Sequence, residues 1–201
     1  MTAKIKLNAA SGGGSVSIQA PSSSSNNRVI TLPDIADGTL LTNTKTALPL
    51  QVVQTVKKDI FTATNNSSFV EITGLNASIT QTSASNKVLV FIDVNCGRSG
   101  QTMIQFKIYD GSTEITAANA AAGNAYSAFA SEFHFSQSNG NYDQHNIAKM
   151  FLYDGINDTN AHTIKVYGSV LDSNGDLYVN RKGNTTNYNA VSSITLMEVA
   201  G

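Results

Sequence analysis

A single cysteine, Cys96, stands in a chain of 201 residues. No disulfide can close within the chain, so its stability must come from packing. Cys96 ends an apolar run, Val88 to Val94 continued to Gly97, where a small thiol reads as core filler rather than as a reagent. Charge is scarce as well, at 13% of residues, with 13 basic against 14 acidic. Nucleic-acid binding leaves a basic patch or stripe, and none is visible, so no nucleic-acid partner is expected. No apolar stretch approaches the roughly 18 residues of a membrane span, and the opening MTAKIKL has no hydrophobic segment of signal-peptide length. The expectation is synthesis in a cytoplasm with no membrane insertion. A heptad run and a repeat of about 20 to 50 residues are both missing, which excludes a coiled-coil shaft and a solenoid.

What is present is β-forming. Hydrophobic residues make up 41% of the chain, enough for a core, while Asn, Ser and Thr take the surface places that Lys and Glu usually fill. Thr suits strands, and Asn and Ser suit turns. Met103 to Tyr109 alternates cleanly: Ile104, Phe106 and Ile108 on one side, Gln105 and Lys107 on the other, as a half-buried strand requires. Phe129, Phe133 and Phe135 share parity in a later segment. Further strands are expected at Asp59 to Thr62, Phe69 to Ile72, Ser78 to Thr82, Lys87 to Val94, Asn146 to Tyr153, Thr163 to Leu171, Leu177 to Asn180 and Ser192 to Val199. Val88 to Val94 is nearly continuous in apolar residues, the pattern of a strand covered on both faces.

Turn signals fall between these segments at Asn65-Asn66, Thr73-Gly74, Ser85-Asn86, Asp110-Gly111, Asn139-Gly140, Asp154-Gly155, Asn174-Gly175 and Lys182-Gly183. Asn-Gly and Asp-Gly supply the positive φ of tight hairpins. Many short strands at this spacing predict an antiparallel β-sandwich of jelly-roll type. Ile115 to Ala125 reads equally as a helical turn or two and as a long loop.

The first fifty residues differ. Apolar pulses at Val16 and Ile18, at Val29, Ile30 and Leu32, and at Leu40 and Leu41 alternate with Gly, Ser, Asn, Pro and Asp. No aromatic residue occurs before Phe61. Ordering a backbone of this length costs more free energy than these few side chains return on burial. The segment therefore reads as an extended arm of short strands ordered by partner chains. Pro49 and the TNTKTAL run before it look like a linker, and the composition shift over Leu48 to Val56 puts the boundary near residue 50. Two parts are expected: an assembly arm over 1–50 and a sandwich over 51–201.

LNAASGGGSVSIQAP followed by NNRVITLPDIADGTLLT resembles the N-terminal module of structural proteins of marine tailed phages, tail-fibre-like and other virion proteins among them. Ala9 to Ser15, Ala20 and Pro21, Arg28 to Pro33 and Asp37 to Thr42 carry that resemblance. The later part, through Ile72 to Leu75, Ser83 to Val90, Gly111 to Ile115, Val179 to Arg181 and Ser193 to Val199, is similar to a C-terminal β-domain of marine phage structural proteins. Ala117 to Asn146 matches only loosely. The resemblance implies a virion component, trimeric and fibre- or spike-like, anchored by its arm to other proteins of capsid or tail. Two alternatives stay open: a capsid decoration protein that cements neighbours, and an adhesin tip that binds a host-surface glycan.

Catalytic chemistry finds no support in the residues. Neither Gly-x-Ser-x-Gly nor a Cys/His spacing for a nucleophile occurs, and SGGGS at Ser11 to Ser15 lacks the Lys-Ser/Thr ending of a phosphate loop. His134, His145 and His162 fall in separate segments without a His-x-His pair or a carboxylate companion, so no metal site is expected. Asp172 to Asp176, DSNGD, has the oxygen-rich spacing of half a calcium loop but not its distal Glu, and reads as a turn. Glu71, Glu114, Glu132 and Glu198 are the available glutamates, several of them inside strand patterns, which disfavours a glycosidase pair. Tyr126, Tyr142, Tyr153, Tyr167, Tyr178 and Tyr188 are the residues from which a sugar-stacking surface would be built. The expectation is a non-enzyme with no catalytic, cofactor or metal residues, working by binding alone.

Overall fold

The computed structural model describes residues 4–8, 10–19, 22–23, 25, 49–64, 67–100, 102–120, 127–132, 144–171, 175–183 and 185–201. The chain divides into two compact units, Met1–Leu41 and Thr42–Gly201. In the first, β1 (Lys4–Asn8) and β2 (Ser15–Gln19) form an antiparallel hairpin. The SGGGS segment is its turn: Gly12 and Gly13 take φ of 85° and 69°, a region open to glycine at little cost. Ile5 stands opposite Ile18, and Leu7 shares their face two residues on; all three side chains are exposed. The remaining apolar pulses of the arm, Val29 to Leu41, lie outside the described residues.

The second unit is built from β3 (Pro49–Lys57), β4 (Phe61–Ala63), β5 (Val70–Thr80), β6 (Lys87–Arg98), β7 (Ile104–Asp110), β8 (Thr113–Glu114), β9 (Ala130–Glu132), β10 (Gln144–Tyr153), β11 (Ala161–Val170), β12 (Leu177–Val179), β13 (Arg181–Lys182), β14 (Thr185–Asn189) and β15 (Ser192–Val199). One sheet runs β3-β15-β6-β10, with β12 and β4 extending it beyond β15 and β3. The other runs β5-β11-β7, with β8 and β9 both on the far edge of β7. Numbering the principal strands β3, β5, β6, β7, β9, β10, β11 and β15 in chain order, the sheets read 1-8-3-6 and 2-7-4-5. That wrapping is the jelly roll of two Greek keys, and every ladder in it is antiparallel.

The core lies between the sheets. Val88, Val90, Ile92, Val94 and Cys96 of β6, with Ile194 and Leu196 of β15, face Ile72, Leu75, Ile79, Ile104, Phe106, Ile108, Ile164 and Val166 of the opposite sheet. Ile104, Phe106 and Ile108 are buried together, as their alternation predicts. Cys96 is buried too, and burial pushes its thiol pKa up to about 12, consistent with an inert filler. At Gly168 the sheets approach so closely that a Cβ would meet Leu177 Cδ2 at 2.4 Å, with Ile72 Cδ1 at 3.3 Å and Phe106 Cε1 at 3.4 Å.

Several expected turns are not hairpins. Thr73-Gly74 interrupts no strand: β5 runs through it, and the ladder with β11 absorbs the irregularity between Lys165 and Tyr167 while Gly74 takes φ of 82°. Ser85-Asn86 and Asp154-Gly155 join strands in different sheets, β5 to β6 and β10 to β11. Only crossings of that kind produce the 1-8-3-6 order. Asp110-Gly111 is a true hairpin, between β7 and β8. Ile115 to Ala125 contributes one 3-10 turn at Thr116–Ala118, its residues 121–125 lying outside the described set. Pro49–Lys57, part of the expected linker and boundary region, is a full strand on the edge of β15.

Candidate assembly face

Among the described residues, the core covers one face of the sheet containing β6 and leaves the other, apolar over part of its extent, uncovered. Antiparallel register places Leu152, Leu89, Met197 and Val52 side by side across β10, β6, β15 and β3. The next row is Met150, Phe91, Thr195 and Gln54, and the one after it Ala148, Asp93, Ser193 and Val56. These residues alternate with the buried set, so they line the outer surface. Met150 is 62% exposed, Val52 55%, Leu152 51%, Val56 42% and Phe91 39%. Leu50, at the start of β3, is exposed as well.

The face is graded from apolar to polar. Its first row is wholly apolar. In the second, Gln54 Nε2 donates to Thr195 Oγ1 at 2.9 Å. In the third, Asn146 Nδ2 donates to Asp93 Oδ1, tying β10 to β6 at the polar end. β10 pairs with β6 alone among the described strands. The face is thus a contiguous exposed apolar patch rimmed by hydrogen-bonded polar groups.

The outer surface of the other sheet has opposite chemistry. Tyr109 of β7 and Tyr167 of β11 stack with ring centroids 4.0 Å apart at 30°. Each tyrosine shares a carboxylate with a lysine. Lys107 Nζ and Tyr109 OH donate to Glu114 Oε2 at 3.1 and 3.4 Å, and Lys165 Nζ and Tyr167 OH donate to Glu71 Oε2 at 2.9 and 3.4 Å. Asn119 Nδ2 adds a 2.6 Å bond to Glu114 Oε1, and Lys107 Nζ lies 4.6 Å from the Phe69 ring centroid. Burial works to raise the Glu114 carboxyl, and the bonds from Lys107 and Asn119 outweigh it, leaving the group below its ordinary range.

The remaining sequence candidates disperse. His134 lies outside the described residues, and His145 Nδ1 stands 3.7 Å from Glu132. His162, for which no carboxylate companion was evident, has two: Asp110 Oδ2 lies 2.6 Å from Nδ1 and Asp158 Oδ1 3.1 Å from Nε2. Tyr153 OH donates to the same Asp110 at 3.4 Å. Asp158 precedes His162 by four residues, a spacing visible in the sequence; Asp110 is brought in only by the ladder between β7 and β11. No group of three or more His, Cys, Asp or Glu side chains suited to a metal ion occurs among the described residues.

Of the tyrosines, Tyr126 and Tyr142 lie outside the described residues, as does the Tyr188 side chain. Tyr178 is buried, donates to Asp176 Oδ2 at 2.8 Å and packs under Arg181 at 3.9 Å. Tyr167 takes part in the stacked pair, and its partner Tyr109 is the residue that composition alone did not single out. Glu198 is fully buried and accepts from Thr82 N, Thr82 Oγ1, Asn86 Nδ2 and Gln51 Nε2. Residues 172–174 of the DSNGD turn lie outside the described set.

No protein-family model matches the chain, and no curated protein matches it. Among solved structures it is similar to a chain in the structure of infectious bursal disease virus Gx strain, at 14% identity and TM-score 0.38, over 94% of this chain and 52% of that one. It is also similar to the VP2 subviral particle of infectious bursal disease virus, at 14% identity and TM-score 0.37, over 93% and 47%. The chain spans about half the length of these solved chains.

Proposed function

We propose that this chain is a non-enzymatic structural protein of a phage particle, a homotrimeric fibre- or spike-like component whose jelly roll associates through the outer face of the β6 sheet and whose N-terminal arm anchors it to other virion proteins. The observation that carries the reading is that face. A jelly roll is shared by capsid proteins, lectins and cupins, and architecture alone does not choose among them. A solvated sandwich, however, alternates apolar and polar positions along each strand, and β6, β10 and β3 do not. The phage-like wording of the arm and of the C-terminal strands points the same way.

The arm fits the same picture. An isolated two-stranded hairpin is marginal in water, and β1 and β2 present Ile5, Leu7 and Ile18 on one uncovered face. Such a ribbon gains from neighbours supplied by assembly. Light scattering on the full chain tests the reading: a mass of three copies is expected, reduced to one by Leu152→Lys combined with Phe91→Lys. Both side chains already stand partly in solvent, so the substitutions spare the core. A parent chain that is monomeric at high micromolar concentration overturns the proposal.

A further inference from the structure

We propose that the outer surface of the β5-β11-β7 sheet is a binding platform for an uncharged saccharide, centred on the stacked Tyr109 and Tyr167 and flanked by the Lys107–Glu114 and Lys165–Glu71 pairs. This inference is independent of the association face, which lies on the opposite sheet.

Three observations support it. First, two half-buried aromatic rings, 4.0 Å apart at 30°, make an apolar patch among polar groups on the outer surface of the sheet, where their ring surfaces outside the mutual contact can meet the C–H face of a pyranose; tyrosine adds a polar handle at its tip. Second, the ionic groups cancel. Lys107 pairs with Glu114 at 2.9 Å and Lys165 with Glu71 at 2.9 Å, so the platform offers donors and acceptors without net charge. That balance suits a neutral polyhydroxyl ligand better than a phosphate or a sulfate, which would have to compete with a carboxylate for each lysine. Third, the hydrogen-bonding groups are held but reachable. The four charged side chains are 18% to 33% exposed, so they keep their positions and still meet solvent.

The phenol hydroxyls add to this. At 3.4 Å from their carboxylates they sit at the outer limit of hydrogen bonding. Turning them toward a ligand hydroxyl therefore sacrifices little. A site built for hydroxyls along these lines needs no rearrangement to bind, which limits the ordering cost.

The test uses the full chain titrated with neutral chito-, malto- and galacto-oligosaccharides, and with sialyllactose as the charged comparison. Because the chain contains no tryptophan, tyrosine fluorescence reports the binding, with saturation-transfer NMR as the second readout. At least one neutral series is expected to bind, and Tyr109→Ala and Tyr167→Ala to weaken it roughly two- to tenfold with the thermal midpoint unchanged. Should either alanine variant unfold, Tyr109→Phe, Tyr167→Phe and Glu71→Gln replace it, each keeping its shape and losing a hydrogen-bonding group or a charge. Absence of binding by every neutral series, binding of sialyllactose alone, or binding that none of the folded variants changes overturns the proposal. These outcomes do not depend on the solution mass, so failure here leaves the assembly reading standing.

Discussion

Asn180 is the residue on which the long sheet turns. It is fully buried and takes φ of 65°, a left-handed conformation that asparagine tolerates better than most side chains. Its Nδ2 donates to the carbonyls of Lys57 and Asp59, both at 2.9 Å, and its Oδ1 accepts from Ser192 Oγ at 2.6 Å. The backbone joins in, with Asn180 N donating to Asn95 O at 2.8 Å. Through side chain and backbone together, one residue thus stitches the end of β3, the later part of β6 and the start of β15. Asn180→Ala leaves several of these partners unsatisfied in the interior, and unmet buried groups cost about 1 to 3 kcal/mol each. A loss of roughly 2 to 4 kcal/mol is expected by urea denaturation, and Asn180→Gly, which relieves φ but not the hydrogen bonds, should recover little of it.

Two carboxylate-linked residues give stability opposite pH dependences. Burial works to lower the His162 pKa, but the bonds to Asp110 and Asp158 outweigh it, so His162 holds its proton above the ordinary value near 6.5. Its contribution is complete below that value and fades as pH rises through the folded-state pKa. Burial works to raise Glu198, and the bonds from Gln51, Asn86 and Thr82 outweigh it, so its carboxyl lies below the ordinary 4.5. Its contribution is complete above that value and fades as pH falls through the depressed one. The gap in thermal midpoint between parent and His162→Gln should therefore narrow toward alkaline pH, and that between parent and Glu198→Gln toward acid. Apart from the i,i+4 spacing of Asp158 and His162, neither partnership was legible in the sequence, since Asp110 lies 52 residues from His162 and Asn86 lies 112 from Glu198.

At the scale of elements, legibility followed periodicity. β7, β11 and β15 were readable because apolar residues recur at alternate positions, Ile104, Phe106 and Ile108 in the first, Ile164 and Val166 in the second, Ile194 and Leu196 in the third. β5 reads as two strands because Gly74, a turn residue by type, here serves as an irregularity inside one strand. Asp154-Gly155 carries the wording of a hairpin but sits at a sheet crossing, and local sequence does not say whether the chain returns beside itself or passes over the core. β3 was hidden by Pro49 and the polar run before it, and VVQTV does not alternate. β6 is the informative case. Its nearly continuous apolar run predicts cover on both faces, yet among the described residues only one is covered, with Phe91 exposed and Leu89 half-buried on the other side. That unmet cover is the sequence signal for the proposed association face. Between the sheets, Gly168→Ala inserts a methyl group into space that Leu177 already fills; about 1 to 3 kcal/mol of destabilisation is expected, measurable as a lowered denaturation midpoint.

For the whole molecule, the two sheets present different chemistries to the outside. One outer surface is aliphatic and grades into hydrogen-bonded polar groups; the other is ionic and aromatic with its charges paired. An assembly that buries the first leaves the second facing outward, an order that fits a particle component. Salt separates the two surfaces experimentally. Association through aliphatic contact should persist or strengthen in molar ammonium sulfate, because excluded salts favour apolar burial. A light-scattering mass that instead falls in high salt would assign the contact to ion pairs.

Cys96 offers a way to watch the molecule open. Its sulfur sits near the C-terminal end of β6 with no solvent access, so a water-soluble alkylating agent reaches it only when that strand leaves its neighbours. The pace of modification in native buffer then clocks the rarest breathing motion of the jelly roll, and a slower pace at higher protein concentration would show that association holds the strand shut.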